Sequence, residues 1–329
     1  MSTTPIPLML RSLSLSYMAS QYEDLHGQAA REGWDHERFL RLLCERELQH
    51  RAEKRTARIL REAHLPEGKS LASLDQDRLP ARVRRQLAAL LDGGPGPDLV
   101  AGHSVGELPA AALAGVLSET DAVRLVAVRG AAMARAAAAT PTGMSAVLGG
   151  DPEEVLARLA ELELTPANVN GGGQVVAAGE LDALARLAEE PPTRARVVPL
   201  QVAGAFHTRF MAPAVDELAR AAASTTAADP AVTLLSNADG APVTRGAEVL
   251  ERLVAQVANP VRWDLCCEQM LALGVTGLVE LAPGGVLTGL ARRTLPGVET
   301  VALKSPDDLD AARELVRKHA GSPAGQEEK

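Results

Sequence analysis

Residues 98–115, DLVAGHSVGELPAAALAG, join a short apolar run to an alanine-rich segment through a tight Gly-His-Ser-Val-Gly turn. The apolar run predicts a strand over 99–101, and the alanine-rich segment predicts a helix that begins directly after the turn. This strand–turn–helix context is the one that a G-x-S-x-G nucleophile elbow requires. We therefore predict that Ser104 is a nucleophile. The plain alternative is a tight turn without chemistry.

The glycines of this turn have a physical explanation. A nucleophile elbow is strained, so Gly102 and Gly106 are expected to remove side chains that would clash on either side of the serine. The N–H groups at the start of the following helix are expected to face the negative charge that develops on a substrate oxygen.

A serine nucleophile also needs a base, and the seven histidines differ in how well they are placed for that role. Four of them precede residue 65 on charged helical segments, which favours exposure, and His319 lies in the predicted C-terminal tail. His103 neighbours the serine but is expected to point away from it. His207 falls between a predicted strand and a predicted helix, where a loop can deliver it to the elbow. The alternative is a structural histidine.

Downstream of residue 97, short apolar runs alternate with alanine-rich helical patterns. The predicted strands are 99–101, 144–150, 174–180, 195–202, 231–237, 277–283 and 300–304. Strands separated by helices predict an α/β fold with a mostly parallel sheet. The β-α-β-α-β run over about 143–203 predicts a small inserted subdomain in which helices cover a sheet.

The first 97 residues have a different composition and predict an all-helical segment. They carry 15 Lys and Arg against 13 Asp and Glu, whereas the rest of the chain carries 19 against 29. A helix over 8–33 is expected to end near Gly33, and Asp35 is expected to be the N-cap of a long charged helix. The apolar face of that helix would contain Phe39, Leu40, Leu42, Leu43 and Leu48, continued by Ile59 and Leu60.

The run GGPGP at 93–97 is the strongest candidate boundary. We therefore predict a helical segment over 1–92, a junction over 93–97, an α/β domain over 98–318 and a disordered tail over 319–329. Three cysteines without metal-ligand spacing predict reduced thiols in a cytoplasmic protein. No apolar run approaches the roughly 18 residues of a membrane span.

Several segments in a fixed order carry a resemblance to a known family. They are GHSVGE (102–107), LVAVRGAAM (125–133), GMSAVLGG (143–150), ANVNGGGQVVAAG (167–179), AGAFHTRFM (203–211), LLSNADG (234–240), QVANPVRW (256–263) and ELAPGGVLTGL (280–290). From about residue 98 to 318 the chain resembles the malonyl-CoA:acyl carrier protein transacylases of bacterial fatty-acid synthesis. The resemblance implies a hydrolase-like α/β core, mostly parallel, with an inserted ferredoxin-like subdomain.

The resemblance also implies catalytic roles. Ser104 would attack the malonyl thioester, and His207 would accept the proton and return it to the departing thiol. The backbone carbonyl of Gln256 would orient the imidazole, and the backbone N–H of Val105 would be an oxyanion donor. The malonyl-serine ester would then pass to the phosphopantetheine thiol of acyl carrier protein.

Three further residues match family positions for substrate binding. Arg129 would hold the malonyl carboxylate, a bidentate task that suits a guanidinium, although without the resemblance a solvated helix arginine is the simpler interpretation. Asn168 and Asn170 would line the cleft, with a role in a turn as the alternative. No cofactor is expected beyond the two substrates, malonyl-CoA and the phosphopantetheinylated carrier protein, and a monomer is expected.

The N-terminal part departs from this family pattern. The family begins with a central strand and a Gly-Gln-Gly-Ser-Gln loop that supplies a second oxyanion donor, and residues 1–97 contain no such loop. Losing one donor typically costs about a hundred- to a thousandfold in rate. Residues 8–92 instead resemble the N-terminal helical region of the helper ATPases of insertion-sequence transposases. The chain contains no G-x-x-x-x-G-K-[ST] motif for nucleotide phosphates.

Three functions therefore compete at the level of sequence. The first is malonyl transfer through Ser104 and His207. The second is an inactive chimeric remnant whose N-terminal helices bind DNA or a transposase. The near-neutral net charge of these helices favours the plainer alternative, in which their Arg and Lys side chains are only solvated. The third is a serine esterase on the same elbow. Arg129 argues against an esterase, because simple esters carry no carboxylate.

Overall fold

A computed structural model of the protein describes residues 6–12, 15–47 and 96–320. The chain divides into two compact units, Met1–Asp92 and Gly93–Lys329. The described part of the first unit is helical, and the second is a mixed α/β structure, so the expected fold class is confirmed.

The first unit contains helices α1 (Ile6–Ser12) and α2 (Ser16–Glu32), and residues 36–47 are also helical. The predicted stop is confirmed, because Gly33 has a φ of 65° and caps α2 in the left-handed conformation. The predicted N-cap is confirmed as well, since Asp35 Oδ1 accepts the Arg38 backbone N–H at 2.7 Å. Sequence alone had joined α1 and α2 into one helix.

A small apolar cluster holds these helices together. Met18, Leu25 and Leu43 are buried in it, and Phe39 and Leu42 pack against them. The prediction for Leu40 is wrong, because its side chain is 57% exposed. It follows Phe39 directly and therefore lies about 100° further around the helix. The predicted positions at Leu48, Ile59 and Leu60 lie outside the described residues.

The second unit contains ten strands and nine further helices in the residues that the structure describes. The strands are β1 (Leu99–Val100), β2 (Thr142–Gly149), β3 (Thr165–Gly171), β4 (Gln174–Glu180), β5 (Ala195–Pro199), β6 (Thr233–Leu235), β7 (Pro242–Val243), β8 (Val261–Arg262), β9 (Gly277–Glu280) and β10 (Glu299–Ala302). The helices are α3 (Glu107–Leu113), α4 (Glu119–Ala139), α5 (Pro152–Glu161), α6 (Leu181–Glu189), α7 (Ala212–Ala223), α8 (Gly246–Ala255), α9 (Trp263–Ala272), α10 (Val286–Thr294) and α11 (Leu309–His319).

One sheet has the order β5-β2-β4-β3-β8, and its first four strands form the part that we call the subdomain, residues 142–199. Those four strands are antiparallel, and β8 joins β3 in parallel. Apolar residues of α5 and α6 cover one face of this sheet. The order of elements in the subdomain is β-α-β-β-α-β, and the strand that the sequence does not predict is β3. Proline and two asparagines in β3 conceal a strand that its neighbours stabilise.

The remaining strands form two short sheets. In one, β1 pairs with β6 in parallel and β6 pairs with β7 antiparallel; in the other, β9 and β10 are parallel. The sequence predicts one mostly parallel main sheet beside the subdomain; among the described residues its parallel pairs, β1 with β6 and β9 with β10, belong to two separate sheets. The largest apolar cluster packs α3, α4, α7 and α8 against β1, β6 and β7.

The C-terminal end of the described chain is ordered further than predicted. His319, expected in the tail, ends α11 and contacts Thr276 Oγ1 through Nδ1 at 2.9 Å and Glu299 Oε2 through Nε2 at 2.9 Å. The rest of the predicted tail, from residue 321, lies outside the described residues.

Candidate active site

Ser104 occupies a strained turn between β1 and α3. It is the first residue of a 3-10 turn, Ser104–Gly106, and its φ is 55°, in the left-handed region that side chains rarely adopt. A Cβ on Gly102 would lie 1.9 Å from the Gly106 carbonyl oxygen, so only glycine fits there. The expected clash at Gly106 is wrong, because a Cβ at that position meets nothing within 4 Å.

The side chain of Asn237 fixes both sides of the elbow. Its Oδ1 accepts the Ser104 backbone N–H at 2.8 Å, and its Nδ2 donates to the Gly102 carbonyl at 2.8 Å. Asn237 follows β6, the strand beside β1, and is fully buried. Because it satisfies two backbone groups that the turn leaves without a helical or strand partner, it stabilises the strained conformation.

The serine hydroxyl contacts the imidazole of His207. Ser104 Oγ lies 2.7 Å from His207 Nε2, and His207 Nδ1 lies 2.9 Å from the backbone carbonyl oxygen of Gln256. Because a carbonyl can only accept, Nδ1 carries the hydrogen and Nε2 is free to accept the serine proton. His207 also has a positive φ, 61°, so the base, like the serine, occupies a strained backbone conformation.

Burial keeps this imidazole neutral. It lowers the pKa of His207 to about 4, and the positive charge of Arg129 acts in the same direction. The hydrogen bond to Gln256 opposes this shift without cancelling it. His207 is therefore an uncharged base throughout the neutral pH range.

Arg129 points to the serine from α4. Its Nη2 donates to Ser104 Oγ at 3.1 Å and to Gln256 Oε1 at 3.0 Å. The residue is only 7% exposed, so the interpretation as a solvated helix arginine is wrong. A buried guanidinium beside the nucleophile is suited to bind a carboxylate.

Asn168 and Asn170 lie on β3 and are both buried. Asn170 Oδ1 contacts His103 Nε2 at 2.8 Å, which agrees with a His103 side chain directed away from Ser104. The turn alternative for the two asparagines is wrong, because both occupy strand positions. The Val105 side chain is exposed beside the serine.

The structure therefore places His207 and Arg129 against the Ser104 hydroxyl, and Gln256 contacts both of them. Sequence reasoning missed Glu107 and Asn237. Glu107 is buried in the first turn of α3, where its Oε1 accepts the Asn237 backbone N–H at 2.6 Å. The available signals were an acidic residue directly after the elbow glycine and an asparagine two residues after a short strand.

Neither a cluster of metal-ligand side chains nor a membrane-spanning helix occurs in the described residues. Over 6–12, 15–47 and 96–320, no group of three or more His, Cys, Asp and Glu is arranged to hold a metal ion. In that same part of the chain, no helix combines the length and apolar character needed to cross a bilayer.

A mixed α/β fold in which an elbow serine contacts a neutral histidine is the arrangement of enzymes that act on acyl groups through a serine. Comparison with known families agrees with this class. Residues 82–310 match the family model described as acyl transferase domain, and the chain belongs to this family.

Individual relatives and solved structures are similar to about two thirds of this chain. The malonyl CoA-acyl carrier protein transacylase of Mycobacterium tuberculosis is 58% identical over 217 residues, which cover 66% of this chain and 72% of the relative. The crystal structure of MCAT from Mycobacterium tuberculosis is similar with a TM-score of 0.65 at 57% identity, covering 70% of this chain and 74% of that one. A complex of a type II PKS acyl-carrier protein with its malonyl-transacylase matches with a TM-score of 0.64 at 33% identity, covering 71% and 78%.

The N-terminal segment matches a different family. Residues 8–92 fit the model described as IstB-like ATP binding protein. The two matched ranges overlap at residues 82–92, so the acyl transferase match begins upstream of the glycine- and proline-rich run at 93–97. The predicted chimeric organisation is confirmed.

Proposed function

We propose that the protein transfers a malonyl group from malonyl-CoA to the phosphopantetheine thiol of acyl carrier protein through an ester on Ser104. One observation carries this proposal: Ser104 Oγ lies within hydrogen-bonding distance of both a neutral histidine and a buried guanidinium. The histidine supplies a base and the guanidinium a site for the malonyl carboxylate. The names of the relatives, malonyl CoA-acyl carrier protein transacylases, support this choice of substrate.

In the first half-reaction His207 Nε2 takes the hydroxyl proton while Ser104 Oγ attacks the thioester carbon. The carbonyl oxygen becomes an oxyanion, for which the Val105 backbone N–H is the assigned donor. The carbon–sulfur bond then breaks, and His207 returns its proton to the departing coenzyme A thiolate. The product is a malonyl-Ser104 ester.

In the second half-reaction His207 takes the proton of the phosphopantetheine thiol, and the thiolate attacks the ester carbonyl. The ester bond to Ser104 Oγ breaks, and His207 returns the proton to the serine oxygen. Both steps are acyl transfers between oxygen and sulfur, so the chemistry balances without a metal or a redox group. We accordingly propose that no cofactor takes part.

The carboxylate distinguishes malonyl transfer from simple esterase activity. We assign the malonyl carboxylate to Arg129, with Asn168 and Asn170 bordering the site on β3. Because coenzyme A substrates and reduced cysteines are typical of the cytoplasm, we place the reaction there. We also propose that the protein acts as a monomer, with acyl carrier protein as its transient partner.

Incubation with radiolabelled malonyl-CoA, followed by denaturation, tests the proposal. We expect label on the protein, its loss in Ser104→Ala, and its release as malonyl-carrier protein when phosphopantetheinylated carrier protein is added. Long incubations are needed, because one assigned oxyanion donor in place of two predicts a rate lower by about a hundred- to a thousandfold. A folded wild-type protein that takes no label would refute malonyl transfer and leave the remnant hypothesis.

A matched pair of arginines on α4 tests the carboxylate assignment. Arg129→Lys should lower labelling by malonyl-CoA about tenfold or more, since lysine lacks the planar donor pair. Arg135→Lys, in which the replaced side chain is exposed and pairs with Glu217, should label at the wild-type rate. Equal labelling of both variants would remove Arg129 from substrate binding.

A further inference from the structure

Glu107 is a buried carboxylate that the proposed reaction does not use. It is 5% exposed, and burial raises its pKa to about 7. Its Oε1 accepts the Asn237 backbone N–H, and its Oε2 accepts a short hydrogen bond from Gln256 Nε2. Burying an ionisable group is costly unless its partners compensate, so packing alone does not account for a glutamate at this position.

The Gln256 side chain lies between this carboxylate and the guanidinium of Arg129. Its Nε2 faces Glu107, and its Oε1 accepts from Arg129 Nη2 at 3.0 Å. An amide has donors at one end and an acceptor at the other, so above pH 7, where Glu107 is ionised, the anion and the cation favour the same orientation. The amide bridges the two charges and leaves the remaining guanidinium donors for another acceptor.

We propose that Glu107 is a positioning residue for acyl groups that carry a carboxylate: it fixes the Gln256 amide, which in turn holds Arg129 at Ser104. This inference rests on the proposed function, in which Arg129 binds the malonyl carboxylate. Glu107 acts on substrate choice through Gln256 and does not touch the substrate.

Replacement of Glu107 by glutamine separates this role from packing, because the shape is nearly unchanged. The new amide oxygen can still accept the Asn237 N–H, so its nitrogen must then face Gln256 Nε2. Two donors cannot satisfy each other, so the Gln256 amide keeps a contact with position 107 only if it turns over and gives up its second acceptor, Asn237 Oδ1 at 3.2 Å. Its nitrogen then faces Arg129, which loses an acceptor and is displaced from Ser104.

Equilibrium binding of malonyl-CoA and acetyl-CoA measures the effect without any turnover. All forms of the full-length chain carry Ser104→Ala, so that no ester forms, and affinities are determined by calorimetry. The measured quantity is the preference for malonyl-CoA over acetyl-CoA, which differ by the carboxylate. A purely structural role would change the unfolding temperature or both affinities together, and it would leave this ratio unchanged.

A double-mutant cycle tests whether Glu107 acts through Gln256. Gln256→Met removes the amide but keeps the backbone carbonyl that contacts His207. We expect Glu107→Gln and Gln256→Met each to lower the malonyl preference about tenfold or more, as for a hydrogen bond to a charged group. The double variant should be no worse than Gln256→Met alone, because the path from Glu107 to Arg129 is already broken.

Each outcome decides the matter. If Glu107→Gln leaves the preference for malonyl-CoA unchanged, the inference is overturned while malonyl binding stands. The same holds if the losses of preference in the two single variants multiply in the double variant. If the Ser104→Ala parent binds both thioesters equally, the proposed function fails at its carboxylate site, and the inference fails with it. If Glu107→Gln does not fold, Gln256→Met carries the test alone, and a retained preference in that variant overturns the inference.

Discussion

The subdomain and the surroundings of the elbow are stabilised in different ways. In the subdomain, backbone ladders of five or more residue pairs join β5, β2, β4 and β3, and β2 is buried along most of its length. The elbow follows β1, a two-residue strand whose one partner among the described strands is β6. At the elbow, side-chain hydrogen bonds stabilise the backbone in place of such ladders. Asn237, Glu107 and Gln256 form a buried chain of hydrogen bonds around Ser104.

This difference explains how an ordered site can lie beside a divided sheet. The geometry of the nucleophile depends on a few buried polar contacts, each of which must be satisfied because water does not replace it. The subdomain depends instead on apolar burial and many equivalent backbone hydrogen bonds. Single substitutions should therefore impair the site with little loss of fold stability, or the reverse, according to the region they fall in.

The largest effect is expected at Gly102. Gly102→Ala places a Cβ against the Gly106 carbonyl, so the elbow must open and the serine moves away from His207. We expect Ser104 labelling by malonyl-CoA to fall by at least about a hundredfold, the cost of a displacement on the order of 1 Å. Gly106→Ala is the matched control, and it should label within a few fold of wild type because its Cβ meets open space. Similar losses in both variants would contradict the elbow geometry.

The opposite pattern is expected in the subdomain. Leu159 on α5 is fully buried in the apolar cluster between the helices and the sheet. Leu159→Ala should lower the free energy of unfolding by about 2–5 kcal/mol, measured by urea denaturation. Labelling of Ser104 well below the unfolding transition should remain at the wild-type rate.

Leu156→Ala, on the same helix but exposed, provides the control and should cost less than about 1 kcal/mol. If Leu159→Ala lowered labelling in folded protein, the two regions would be coupled, and the contrast between them would not hold.

Much of this organisation could be predicted from local sequence. The elbow, the helix after it, the strand at 174–180 and the caps at Gly33 and Asp35 follow from periodicity, turn residues and capping rules. Strand β3 could not be predicted, because Pro166 and its asparagines disfavour a strand that only pairing with β4 and β8 stabilises. The division of the main sheet was missed for the same reason: strand pairing is a property of the whole fold.

The residues of the site show the same difference between what local sequence predicts and what the whole fold determines. Ser104, His207, Arg129 and Gln256 could be named from a motif and a family resemblance. The contacts of Glu107 with Asn237 and Gln256 join residues 130 and 149 positions apart, and no local pattern predicts such contacts. Sequence therefore identified the groups proposed to meet the substrate better than the buried groups that hold them.

A smaller effect is expected beside the two-stranded sheet, where a side chain satisfies backbone N–H groups at the start of a helix. Glu280, at the end of β9, accepts backbone N–H groups at the start of α10; the donors are Gly285, Val286, Leu287 and Thr288. Burial alone would raise the pKa of this carboxyl, but the backbone donors outweigh it and lower the pKa. Glu280→Gln replaces one acceptor oxygen by a donor and should cost about 1–3 kcal/mol in urea denaturation.

Glu299→Gln is the matched control on the neighbouring strand. Glu299 pairs with Lys318 and His319 at the surface, so this change should leave the midpoint of urea denaturation close to that of the wild type. Equal effects of the two substitutions would mean that the contacts of Glu280 with the start of α10 do not stabilise the fold.

The smallest effect is expected for mild acid, and it tests whether the divided sheet admits water to the site. His207 must be neutral to act as a base, and burial lowers its pKa to about 4. The inactivation of Ser104 by phenylmethanesulfonyl fluoride should therefore proceed at nearly the same rate at pH 7.5 and pH 5.5, and decline only near pH 4. A histidine in contact with water, with an ordinary pKa of about 6.5, would lose about tenfold in rate at pH 5.5. The reagent carries no carboxylate, so substrate binding by Arg129 does not enter; the same profile is measured for Glu107→Gln, because protonation of Glu107 reaches Ser104 through Gln256 and Arg129. A tenfold decline by pH 5.5 would show that Ser104 and His207 are open to water and that buried side chains alone do not keep the site closed.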